Sequence, residues 1–136
     1  MSYHNQAVCF LKNSNKAVNP PSAEYNTANY SIYNSHNYTL LPFGYVICDT
    51  GYTLYYQPLD TIGLIQGVPD LEYQYGIKIK TAITKTNEPI KFIVENLSNH
   101  IIHLKFNQVL AKIIFLTVTK PKIEILRTST PTPIFK

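Results

Sequence analysis

Apolar and polar positions alternate with a period of two in several short runs. Ile77-Lys78-Ile79-Lys80 and Ile123-Glu124-Ile125 each place apolar side chains on one face and charge on the other. The runs Ala7 to Leu11, Tyr45 to Cys48, Tyr52 to Tyr56, Ile90 to Val94, Ile101 to Leu104 and Val109 to Val118 are rich in β-branched and aromatic residues. Such residues fit a pleated, half-buried surface. Turn formers fall between the runs: Asn19-Pro20-Pro21, Asn34 to Asn37, Pro42-Phe43-Gly44, Asp49-Thr50-Gly51, Asn87-Glu88-Pro89, Asn96 to Asn99 and Phe106-Asn107. No segment keeps a helical period over a useful length, and no internal repeat is present. Many short strands with regular turns predict an all-β barrel or sandwich. Val109 to Val118 is too continuously apolar for a strand with one wet face, so both its faces are predicted to be covered.

The 136 residues suffice for one domain with a real core. The pattern divides into a β-barrel domain over 1–120 and a C-terminal strand and extended arm over 121–136. Ile123 and Ile125 are predicted to form that strand. Pro131 and Pro133 favour an extended chain beyond it, with Ile134 and Phe135 as anchors on a neighbouring molecule. Only 15% of residues are charged, which points to a surface partly covered by a partner.

The net charge of +4 is spread thinly, and Arg127 is the only arginine. Bidentate guanidinium contacts to bases and phosphates are therefore nearly absent, which argues against specific nucleic-acid binding. Cys9 and Cys48 sit in apolar surroundings and read as buried free thiols rather than a disulfide. No stretch is apolar enough to span a membrane, and the first residues lack the plan of a signal peptide. His100 and His103 have the look of a metal pair. They lie in a run that reads as strand, where positions three apart point to opposite faces, so no metal is expected there. The many tyrosines read as sheet and interface residues rather than a stacking platform. The bias to Ile, Asn, Lys, Tyr and Phe, with Lys over Arg, fits an AT-rich genome.

The order of these segments resembles the trimeric dUTPase family. Residues Asn96 to Ile114 are similar, without a gap, to the family's Phe-Asn-x-Ser strand end and its Gly-Asp-Arg-Ile-Ala-Gln-Leu-Ile segment. Asn107 stands at the turn glycine, a fitting swap because asparagine tolerates the left-handed conformation. Ala111 matches the family alanine. Upstream, Ala28 to Tyr33 resembles Ala-Gly-Tyr-Asp-Leu-Tyr, and Asp49-Thr50-Gly51 resembles Pro-Thr-Gly. Gly63-Leu64-Ile65 sits where the family has Gly-Arg-Ile. The resemblance spans Ala7 to Ile125 and implies a distorted β-barrel or jelly-roll, a homotrimer, and exchange of C-terminal arms.

The departures fall on the family's chemistry. Its first-motif aspartate, which supports the metal-bound triphosphate, is Ser31 here. Its phosphate-binding Arg-Ser pair becomes Val68-Pro69. Its water-activating aspartate maps to Thr84 or Lys85, and its ribose-excluding tyrosine to Asn87 or Glu88. Its fourth-motif glutamine is Lys112, and its glycine-rich fifth motif has no counterpart. Hydrolysis of a phosphoanhydride needs a base, cations on the phosphates and a seat for metal. These substitutions carry the expectation of a scaffold that is no longer an enzyme, with no catalytic residue, metal or cofactor. The expected role is a viral structural or interaction module, such as a virion decoration or capsid-associated protein. One alternative is an intracellular viral accessory protein binding host factors. Another is a divergent dUTP- or nucleotide-binding enzyme. The expected partners are copies of the chain and other viral or host proteins, with neither nucleic acid nor membrane. The expected location is the virion or the host cytoplasm or nucleus.

Overall fold

The computed structural model describes residues 7–13, 18–23 and 29–127. In chain order the elements are β1 (Cys9–Lys12), β2 (Ser22–Ala23), β3 (Asn29–Tyr33), β4 (Tyr38–Leu40), β5 (Tyr45–Tyr56), β6 (Thr61–Gly67), α1 (Leu71–Tyr75), β7 (Ile77–Ile79), β8 (Ala82–Ile83), β9 (Glu88–Asn96), β10 (Ile102–Leu104) and β11 (Val109–Thr117). Strands dominate, as the two-residue period predicts. The one helix among the described residues is a five-residue turn of chain.

Among the described residues three sheets form, with orders β1-β5-β9-β7, β2-β3-β11-β6-β8, and a small β10-β4 pair. Each alternating strand turns its apolar residues inward. From the first sheet come Cys48, Leu54, Ile90, Phe92 and Val94; from the second come Ile32, Ile65, Leu110, Ala111 and Ile113. Leu40 and Leu104, from the small sheet, belong to the same core. Burying such a side chain contributes about 1.5–3 kcal/mol before ordering costs, so this shared core is what fixes the sheets.

Three expectations are corrected. Asp49-Thr50-Gly51 is not a turn between two strands but a bulge inside one long β5, where the pairing with β9 skips between Asp49 and Thr53. Gly51 takes a left-handed φ of 77°, and its N–H donates to Asp49 Oδ1. The turn chemistry was read correctly, but here it kinks a strand instead of ending it. Ile123 and Ile125 form no strand: residues 118–127 carry no regular element, and the two side chains are 83% and 88% exposed. Among the described residues no strand pairs with them. Finally, His100 lies in a bend and only His103 is in a strand, β10. Ile134 and Phe135 lie outside the described residues.

β11 is central in its sheet, between β3 and β6. Its residues are buried or half-buried from Val109 to Phe115, and Leu116 and Thr117 emerge at its end. At the β10–β11 turn Asn107 has φ 62°, the left-handed state its position requires. Its Oδ1 accepts a hydrogen bond from Asn19 N–H at 2.8 Å.

Candidate functional site

Ser31, Lys112 and Gln66 stand directly opposite one another on β3, β11 and β6. Ser22 on β2 extends the row by pairing with Ser31. Their buried neighbours Ile32, Ala111, Ile113 and Ile65 point into the core, so the row lies on the sheet's outer face. Opposed side chains on one face stand about 4.5–5.5 Å apart at Cβ. An ammonium is thus set between hydroxyls and an amide. The only salt bridge among the described residues joins Lys122 to Glu124, so Lys112 has no carboxylate partner there.

Val68 and Pro69 follow β6 directly. Val68 N–H donates to Leu110 O at 2.9 Å, so the chain still hugs β11 past the end of the strand. The turn into α1 uses Asp70 at φ 71°. Close by, Gly67 packs so tightly that an added Cβ would lie 2.9 Å from Ile79. A cavity of about 220 Å³ opens here, lined by Gly67, Val68, Asp70, Leu71, Ile77, Lys78 and Ile79.

Thr84 is buried and structurally engaged. Its hydroxyl accepts from Gly63 N–H at 3.0 Å and donates to Gln57 Oε1 at 3.3 Å. Lys85 and Asn87 project from the exposed turn between β8 and β9, with Asn87 at φ 66°. Its N–H donates to Leu54 O, which ties the turn back to β5.

The structure therefore groups Ser31 and Lys112 with the segment that leads to Val68 and Pro69. It does not bring Thr84, Lys85 and Asn87 to the same place. Thr84 is level with Gly63, three residues along β6 from Gln66 of the polar row, which is roughly 10 Å of strand.

Gln66 was missed in the sequence. The alternation of Ile65 inward and Gln66 outward would have placed it, had Thr61 to Gly67 been read as a strand. The Gly63–Thr84 lock has no signal in either residue alone.

The row does not fit a metal seat. Ser31 offers a hydroxyl where a carboxylate would be needed, and the neighbouring ammonium repels a dication. Among the described residues, no three His, Cys, Asp or Glu side chains come together.

These features define an all-β protein with a distorted barrel and a polar row on one sheet. The chain belongs to the dUTPase family: that family's model matches residues 15–133. No curated protein matches it by sequence. The fold is similar to a mutant dUTPase from phage phi11 of S. aureus, at a TM-score of 0.79 and 12% identity, over 91% of this chain and 99% of that one. That structure describes coordination of a structural Mg(II) ion. It is also similar to a mutant dUTPase of Staphylococcus bacteriophage 80alpha with dUpNHpp, at 0.76 and 12%, over 93% and 92% of the two chains. Membership of an enzyme family, over a span that includes every substituted position, overturns the expectation that the chain is not an enzyme.

Proposed function

We propose that this chain is a divergent nucleotide-handling enzyme of the dUTPase family, acting on a deoxyuridine triphosphate as a homotrimer. The family match over residues 15–133 carries the reading. A viral source belongs to the same reading, supported by the phage proteins among its structural relatives.

The residues present suggest how phosphate would be held. Where the family has an acid and an amide, this chain has Ser31 and Lys112, side by side. Lys112 supplies a fixed positive charge, and the Ser31 hydroxyl a donor, to phosphate oxygens approaching the outer face of the sheet. Lys85 adds a second ammonium from the exposed hairpin. Glu88 is the carboxylate that hairpin carries, and it is the candidate base for water. The homotrimer belongs to the same reading and is supported by the family match.

The test is heat stabilisation and pyrophosphate release with millimolar dUTP. Stabilisation together with release above the buffer rate is expected, and Glu88→Gln should abolish release while keeping stabilisation. The absence of both effects, in a protein shown to be trimeric by light scattering, would refute the proposal.

A further inference from the structure

Away from the polar row, the outer face of the β5–β9 pair holds a groove that the nucleotide reading does not use. Two open cavities of about 470 and 360 Å³ share Ile47, Lys80 and Ile93, so they adjoin along one groove. Ile47 and Ile93 are cross-strand partners and make its floor. Phe43 and Tyr45 stand at one end, 72% and 68% exposed, and Ile47 is 54% exposed. An exposed apolar patch rimmed by polar residues marks an interaction surface.

The charge is unbalanced along its length. Lys80 and Lys91 line the second cavity without any acid, and Glu95 lies only in the first. Asp49 is opposite Lys91 in register but forms no ion pair with it, and neither lysine has an acidic partner among the described residues. An extended segment that alternates apolar and acidic residues would bury its apolar side chains on Ile47 and Ile93 and its carboxylates on the two ammonium groups. The chain's own exposed apolar stretch has the wrong sign. Lys120 to Arg127 carries Lys120, Lys122 and Arg127 against Glu124 alone. A second copy's tail is therefore disfavoured, and we propose that the groove between β5, β9 and Lys80 docks an acidic, apolar-bearing segment of a different protein.

The experiment is calorimetric titration of the full chain with a synthetic peptide alternating leucine and glutamate, and with its leucine–lysine counterpart. The acidic peptide should bind at roughly 0.1 mM, and Lys80→Glu with Lys91→Glu should weaken it about tenfold or more. Lys120→Glu, outside the groove, should leave binding unchanged. Equal binding of the lysine peptide, indifference to the double reversal, or no binding at all would overturn the proposal. So would adsorption to phosphatidylserine vesicles in place of the peptide. A change of assembly size on Ile47→Glu would make the face a self-contact and would also overturn it. These outcomes are independent of whether dUTP binds.

Discussion

The hydroxyl oxygen of Thr84 lies 2.5 Å from where a β-carbon on Gly63 would stand. The same oxygen accepts the Gly63 N–H, and the Thr84 N–H returns a bond to Gly63 O at 2.8 Å. The absent side chain thus lets the hairpin be stitched to β6. Gly63→Ala should cost roughly 1–3 kcal/mol by overpacking. Thr84→Ala removes the two nearest atoms, Oγ1 and Cγ2, and leaves Ile113 Cγ2 at 3.0 Å, so the double variant should lose clearly less than the sum of the single losses. Denaturant melts of all four proteins would show this, and strict additivity would contradict the close contact.

Asn107 tests the turn in the same way. Alanine there must hold a left-handed backbone, at a cost of roughly 1–2 kcal/mol, and it also loses the acceptor for Asn19 N–H. Glycine loses the acceptor but relieves the backbone. Asn107→Ala should therefore melt several degrees below Asn107→Gly in a thermal scan. Equal melting would show that the backbone conformation is not the constraint.

Asn107 was legible in the sequence because its reason is local: one turn position and one residue type that tolerates it. The strands were legible for a similar reason, since burial imposes a two-residue period. β6 was harder to see. Gly63 and Gly67 weaken its propensity, and both are there for close approach to Thr84 and Ile79, residues distant in sequence. The Asp49–Gly51 bulge failed for a third reason, because the same turn chemistry serves a hairpin or a kinked strand. The family resemblance located Ser31 and Lys112 but not their adjacency, which is a matter of register between β3 and β11. The expectation of a non-enzyme came from counting lost side chains one by one, without asking what their replacements make together.

Cys48 gives a pH prediction. Burial pushes its thiol from 9.0 up to about 12. Burial is also the leading cause that raises Tyr38 above 10.0. In both cases the folded state keeps a proton that the unfolded chain gives up. The stabilising contribution is therefore complete below pH 9 and is lost as pH climbs toward 12. The Cys48 proton alone can contribute at most about 1.4 kcal/mol per pH unit to that slope. Urea melts from pH 7 to 11 should show stability falling above pH 9, and Cys48→Ala should flatten the fall. A thiol reagent should leave Cys48 unmodified in the native protein and react with it in denaturant.

Lys112 and Ser31 carry the last prediction. They face each other on β11 and β3, and together they make that part of the sheet's outer face formally positive by one charge. A triphosphate meeting an ammonium there gains a charge-assisted contact without an added dication. Stabilisation by dUTP should therefore persist in a chelator. Lys112→Gln should weaken binding by roughly tenfold, the size of one charged hydrogen bond. Combining Ser31→Asp with Lys112→Gln turns the same two positions formally negative by one. Phosphate oxygens would then meet a carboxylate, and binding should return only when magnesium screens the two anions from each other. The double variant is thus expected to be inert to dUTP in chelator and responsive with magnesium, while the natural chain responds in both. Titration calorimetry on both proteins, with and without magnesium, decides it. If the natural chain binds dUTP only with magnesium, Lys112 does not act as the phosphate cation, and the positive row needs another explanation.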